Sequence, residues 1–296
     1  MKIRLFTILL VAFFILSSCS DSNDTGSDMG SLNIQLTDAP FPHDLVAEAN
    51  VTIFKVDARN KEANIDSSEE GKIQEGGESS FVVLMEGEIQ VNLLELTNGV
   101  TETLVDTEIP VGSYDLVRLY VKGINVVLTD GTTFDLKVPS GEQSGIKVFI
   151  KPGITVTGGL TSDLLLDFDV SRSFVPQGDA KNLKGILGFN FKPVIKASNM
   201  STSGTLEGKV TTFQEETAVG LKGAQISVFA ADTLNTTTFT DETGAYMVMG
   251  LLAGSYDVTV DLEGYEFQTV QAIGIKAANK TVQDFELNIA ETEEGN

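Results

Sequence analysis

Ser31-Leu32-Asn33-Ile34-Gln35-Leu36-Thr37 is the stretch on which the fold turns. In an extended chain successive side chains point to opposite faces. Leu32, Ile34 and Leu36 therefore share one face, and Asn33, Gln35 and Thr37 the other. A helix would scatter the same residues around its circumference and leave no apolar side to bury. Similar short runs recur at Val51–Val56, Phe81–Met85, Leu116–Val121, Asn125–Leu128, Thr133–Val138, Ile146–Ile150, Leu164–Val170 and Phe189–Ile195. Turn-forming clusters such as Thr129-Asp130-Gly131 and Pro139-Ser140-Gly141 separate them. Many short strands with regular turn signals indicate an antiparallel sandwich or barrel. Only Val91–Leu96 reads as a helical turn, and residues 58–78, rich in Glu, Lys, Ser and Gly, as a long solvated excursion.

Before this stretch the chain has a different character. Lys2 and Arg4 precede an apolar run from Leu5 to Leu16, broken by Thr7 alone, and small residues lead to Cys19, the single cysteine. A run of this length reads as a secretory signal, being short for a membrane span. Leu16-Ser17-Ser18-Cys19 resembles a bacterial lipobox at every position. That resemblance implies diacylglyceryl transfer to the Cys19 thiol and cleavage before it. Residues 20–30 are almost wholly polar and read as a flexible tether. Ser20 directly after the cysteine, rather than aspartate, fits lipoproteins sent to an outer membrane. Asp21, Asn23, Thr25 and Gly26 have near-EF-hand spacing, but Leu32 stands at the twelfth position and no flanking helix is legible, so calcium is not expected there.

The whole chain has 296 residues and a net charge of −22. Residues 1–18 carry two basic and no acidic side chains, so the remainder stands at −24. Such a balance repels phosphate polymers and excludes nucleic acid as a partner. With Cys19 consumed by lipid, no thiol remains for a disulfide, a zinc thiolate site or a nucleophile. The length suggests about two domains. The small polar stretch Ser198-Asn199-Met200-Ser201-Thr202-Ser203-Gly204 breaks the strand pattern and reads as a linker. The expected organisation is a signal peptide at 1–18, a lipidated tether at 19–30 and a first domain at 31–197. A linker at 198–203, a second domain at 204–290 and an acidic tail at 291–296 follow.

The second unit contains Gly204–Val210, Gly223–Val228, Thr240–Tyr246, Leu251–Val258 and Glu263-Gly264-Tyr265 in that order. This set resembles the carboxypeptidase regulatory-like domain, a prealbumin-type sandwich grouped with the carbohydrate-binding-like fold. The first unit resembles the bacterial domain of unknown function 4382. The residues that carry that likeness are Thr37-Asp38-Ala39-Pro40, Pro110–Tyr114, Arg118-Leu119, Leu165–Val170 and Lys192–Ile195. That family implies no activity. Gly112-Ser113-Tyr114-Asp115 and Gly254-Ser255-Tyr256-Asp257 are the same tetrapeptide, each opening an alternating strand. We read them as one strand-entry device used twice.

Chemistry is sparse. His43 is the single histidine, so a serine triad or a histidine-based metal centre is excluded, and its place after Pro40 and Pro42 reads as an exposed loop. Asp38 reads as a turn cap through its side chain. Asp167 and Asp169 lie two apart on a strand and face the same way. They are either the polar outer face of an edge strand or paired carboxylates for a cation or acid–base work. The first reading is preferred. Sugar-binding sites stack aromatic rings on pyranose faces, and this chain has no Trp. Tyr114, Tyr246 and Tyr256 read as core; Tyr120, Tyr265 and Phe267 are the remaining ligand candidates. No basic or aromatic groove for another polymer is legible.

The expectation is an all-β protein of two tandem antiparallel β-sandwich domains after a lipoprotein signal peptide and flexible tether. It is a non-enzymatic, membrane-anchored binding protein of the cell envelope, in the outer membrane, without a cofactor. Its partners are the lipid bilayer through acylated Cys19 and a glycan or surface protein, a carbohydrate-type ligand following from the fold resemblance. The alternatives are a structural spacer or assembly module, and then a carboxylate-based hydrolase.

Overall fold

The computed structural model describes residues 28–39, 45–62, 80–138 and 143–290. Cys19 and its signal, most of the tether, His43, residues 63–79 and the acidic tail lie outside the described residues. Strands come first as β1 (Met29–Ala39), β2 (Val46–Asn60), β3 (Phe81–Asn92) and β4 (Glu102–Pro110). They continue as β5 (Gly112–Leu128), β6 (Thr133–Leu136), β7 (Ile146–Val156) and β8 (Thr161–Asp169). A helical turn α1 (Val170–Ser173) precedes β9 (Phe174–Gly178), β10 (Ile186–Phe191) and β11 (Ile195–Asn199).

Eight strands follow the order β3-β2-β5-β7-β11-β8-β1-β4, with β6 also paired to β5. This sheet folds into two layers around one core, in which Leu32, Ile34 and Leu36 of β1 meet Ile53 of β2, Leu119 of β5 and Phe168 of β8. The alternation in β1 therefore sorts core from outer face as the sequence indicates. Most pairings are antiparallel, but β1 and β8 run parallel, in register from Ser31 with Thr161 to Ala39 with Asp169.

The second sandwich holds β12 (Ser203–Gln214), β13 (Thr217–Gly220), β14 (Gln225–Ala230), β15 (Thr233–Phe239) and β16 (Ala245–Leu252). It ends with β17 (Gly254–Asp261), β18 (Gln268–Ile275), β19 (Lys280–Val282) and β20 (Phe285–Glu286). A sheet built on β12, with β13, β16, β19 and β20, faces the sheet β15-β14-β17-β18. Their shared core includes Leu206, Ile226, Val228, Tyr246, Tyr256 and Val258. Asp241 and Gly244 build the turn into β16. Asp241 Oδ1 accepts from the Thr243 and Ala245 amides at 2.8 and 3.0 Å. Gly244 takes φ +78°, where a Cβ would stand 2.3 Å from the Val210 carbonyl oxygen.

Several local readings are corrected. Leu116–Val121 and Asn125–Leu128 are one strand, β5, because Gly123 at φ +57° bends the chain without ending the pairing. Phe189–Ile195 is two strands, since Pro193 has no N–H for a ladder bond. β4 was not legible: adjacent Leu104 and Val105 are both buried, which breaks the alternation. Of the expected linker 198–203, Ser198 and Asn199 belong to β11 and Ser203 opens β12. What remains is a tight turn, with the Thr202 amide donating to the Asn199 carbonyl at 3.0 Å. A polar composition signals loss of strand pattern, but not how short the connection is.

Candidate functional site

The parallel pairing of β1 with β8 sets Thr37 beside Asp167, and the antiparallel pairing of β11 sets Lys196 on the other side of Asp167. Thr37, Asp167 and Lys196 thus form a row across three neighbouring strands. β8 is an inner strand and not the edge that its two aspartates suggested. The reading of Asp167 and Asp169 as a solvated outer face is therefore corrected. Asp169 is 8% exposed. Its carboxylate caps α1 by accepting from the Arg172 amide at 2.9 Å, and it pairs with the Arg172 guanidinium at 2.6 Å. Leu165, on the same face of β8, is buried yet lies outside the core of the first sandwich.

The second sandwich stands over this row. Thr37 Oγ1 donates to the carbonyls of Leu96 and Val100 at 3.0 and 3.1 Å, which pins the loop between them. At the loop tip Asn98 adopts φ +55°. Its Oδ1 accepts from Thr238 Oγ1 at 3.1 Å and from the Met247 amide at 3.4 Å. Ser198 Oγ donates to the Gly250 carbonyl at 2.9 Å. Lys196 Nζ donates to the carbonyl of Asn235. Burial pushes the Lys196 ammonium below the ordinary lysine value, and the facing Asp167 opposes that shift. Two glycines let the bodies close. A Cβ on Gly99 would stand 2.4 Å from Met247 Sδ, and one on Gly250, at φ +75°, 2.9 Å from Ser198 Oγ and 3.3 Å from Leu165 Cδ2.

Between Thr37, Asp38, Asn98 and Asp167 on one side and Thr236–Thr238 with Met247 on the other lies a cavity of about 30 Å³. That is room for one or two waters and excludes a sugar ring. Asp38 is 5% exposed, and its Oδ1 accepts from the Val170 amide at 3.1 Å, so it holds α1 against β1. Among the described residues no group of three or more His, Cys, Asp or Glu side chains is placed to hold a metal ion. Among them, too, no helix is long and apolar enough to cross a membrane.

Tyr120, read as a ligand platform, is 7% exposed. Its hydroxyl donates to Asp57 Oδ2 at 3.0 Å and its ring packs 6.1 Å from that of Phe54. So enclosed a ring has no face to offer a sugar, and that reading is corrected. Tyr265 packs half-buried against the second core and bridges Ile289, while neighbouring Phe267 is 61% exposed. Tyr114, Tyr246 and Tyr256 are buried, as their motif positions indicate.

The sequence missed one assembly. On the outer face of β3-β2-β5-β7, register places Phe81, Arg59, Leu116 and Phe149 in one row across four strands. The next row is Val83, Asp57, Arg118 and Lys147. Arg118 forks onto Asp57 at 2.7 and 2.6 Å and lies 3.5 Å from the Phe81 ring centroid. These residues are spread from 57 to 149, so no local signal in the sequence reveals the face.

No curated protein sequence matches this chain. Among solved structures, the type II cohesin–X-dockerin complex of Acetivibrio cellulolyticus is similar at 12% identity and a TM-score of 0.24. That match covers 29% of this chain and 58% of the other, under two thirds of its length. The minor pilin of Streptococcus agalactiae is similar at 12% identity and a TM-score of 0.27, over 89% of this chain and 98% of the other. The shaft pilin of Lactobacillus rhamnosus GG is similar at 12% identity and a TM-score of 0.24, over 88% of this chain and 99% of the other. Residues 205–288 match the carboxypeptidase regulatory-like domain. Residues 29–193, more than half of the chain, match the domain of unknown function DUF4382, and the chain belongs to that family.

Proposed function

We propose that the chain is a non-catalytic lipoprotein of the cell envelope, held in the outer membrane through acylated Cys19, whose two sandwiches act as one rigid display module. The observation that carries this reading is the joint between them. A half-buried lysine, a loop pinned by Thr37 and two close-packed glycines bond the bodies together directly. A joint left open for catalysis would need room for substrate, and the cavity there takes only water. Neither matched family is a known catalytic one. The carboxylates singled out for hydrolysis are already engaged: Asp169 with Arg172, and Asp167 facing Lys196. The joint has no room for a carbohydrate-type ligand, so we place one on an outer face.

Small-angle scattering tests the joint. The wild type is expected to show a single compact arrangement, described by one rigid body. Gly250→Val, which drives a side chain into Ser198 and Leu165, is expected to enlarge the radius of gyration and broaden the distance distribution. A wild type that already scatters as two independent beads would overturn the reading.

A further inference from the structure

The outer face of β3-β2-β5-β7 is the exception in an acidic protein. The chain carries 20 basic residues and a net charge of −22. Yet this one face gathers Lys55, Arg59, Arg118, Lys122, Lys147 and Lys151, with Lys61 at its corner. The carboxylates between them are fewer: Asp57, Asp115, Glu86 and Glu88, each in an ion pair. Apolar surface is interleaved with the charge. Phe149 is 55% exposed and Val83 49% exposed. The ammonium of Lys151 lies 5.9 Å from the Phe149 ring centroid, and that of Lys122 5.8 Å from the Phe54 ring.

We propose that this face binds an acidic polysaccharide, one whose pyranose units carry carboxylates; the proposal rests on the reading of the chain as a display module. Three features select that chemistry. Exposed rings stack on the apolar faces of pyranoses, and Phe149 stands at the end of the Phe81–Phe149 row. Neighbouring strands are about 4.8 Å apart, so the exposed apolar ends of the face, Val83 on β3 and Phe149 on β7, lie roughly 14 Å apart across the sheet, which suits a chain of sugars better than a single ring. Lys147 and Lys151 flank Phe149 on its own strand, placed for a carboxylate beside a stacked ring. The exposed ion-paired carboxylates, Glu86 and Glu88, can still accept hydroxyl protons of a sugar. A polyphosphate has neither an apolar ring face to lay on Phe149 nor hydroxyls for those carboxylates, which leaves it only the basic side chains.

The test uses the full chain in detergent micelles, with polygalacturonate as the probe and neutral dextran as the control. Titration calorimetry and affinity electrophoresis are expected to show binding to polygalacturonate that weakens as salt is added, and none to dextran. Phe149→Ala and Lys147→Glu, both at exposed positions, are each expected to weaken binding about tenfold or more, the effect of losing one well-used contact. Phe213→Ala, at an exposed ring of the second sandwich, is expected to change nothing. Circular dichroism confirms that each variant is folded. Silence of the folded wild type on polygalacturonate overturns the proposal. So does equal binding of dextran, or full binding by both face variants. A loose joint in scattering together with retained, Phe149-dependent binding would sink the rigid-module reading and leave this site standing.

Discussion

Tyr114 and Tyr256 make the same bond in two different domains. Each hydroxyl donates to the carbonyl oxygen four residues back, Pro110 at 2.8 Å and Leu252 at 2.9 Å. The shared tetrapeptide is thus a physical device in which tyrosine ties the new strand to the end of the preceding one; glycine is needed only in the first copy, where Gly112 takes φ +143° against Asn60. Its fourth residue diverges, since Asp115 pairs with Arg59 while Asp257 accepts from the Ala272 amide. The device separates two contributions by mutation. Tyr256→Phe should destabilise the second sandwich by about 1 kcal/mol, the net worth of one hydrogen bond. Tyr256→Ala should cost about 3–5 kcal/mol, because it also leaves a cavity in the core. Urea unfolding followed by circular dichroism reads both. Equal losses in the two variants would show that the ring itself contributes nothing.

At the scale of the element, β8 shows what alternation can and cannot say. It separates Leu166 and Phe168 from Asp167 and Asp169 correctly, because parity along a strand is a local property. It does not say that β8 lies between β1 and β11, nor that a second domain covers its polar side. Lys196 on β11 records that burial. Its folded pKa lies below the ordinary 10.5, so the charged form is disfavoured on folding. Between the lowered folded pKa and 10.5 the unfolded chain binds more protons than the native one, and native stability therefore rises with pH in that window. Below it the cost of burying the charge is fully present. Relative to Lys196→Met, which keeps the stem and removes the charge, the wild type should gain stability as pH climbs toward 10.5. Melting temperatures of the pair on the alkaline side check this; a difference independent of pH would mean that Lys196 is solvated.

For the whole molecule, charge bears on the anchor that we propose. Residues 19–296 stand at −24 and gain nothing from an anionic bilayer surface, so the proposed anchor rests on lipid at Cys19 alone, where several acyl chains suffice and one does not. Cys19→Ala should release the protein from the membrane fraction; retention in the pellet after a high-salt wash would refute the anchor. The two sandwiches bury separate cores, yet the joint links them through side chains far apart in sequence, Asn98 to Thr238 and Ser198 to Gly250.

The amino-acid sequence by itself determined the class of fold, the division into two strand-rich units and the core face of most strands. These follow from period-two alternation, turn residues and composition, all of which act between near neighbours. It determined the paired tyrosine device as well, because that bond closes over four residues. Only the tertiary structure decided that β1 and β8 run parallel, that the polar stretch after Ala197 is a tight turn within a bonded joint, and that Tyr120 is enclosed. The same holds for the basic and aromatic face, assembled from four strands. Strand order and domain docking are set by the burial of whole surfaces, and no window of sequence contains both partners of such a contact.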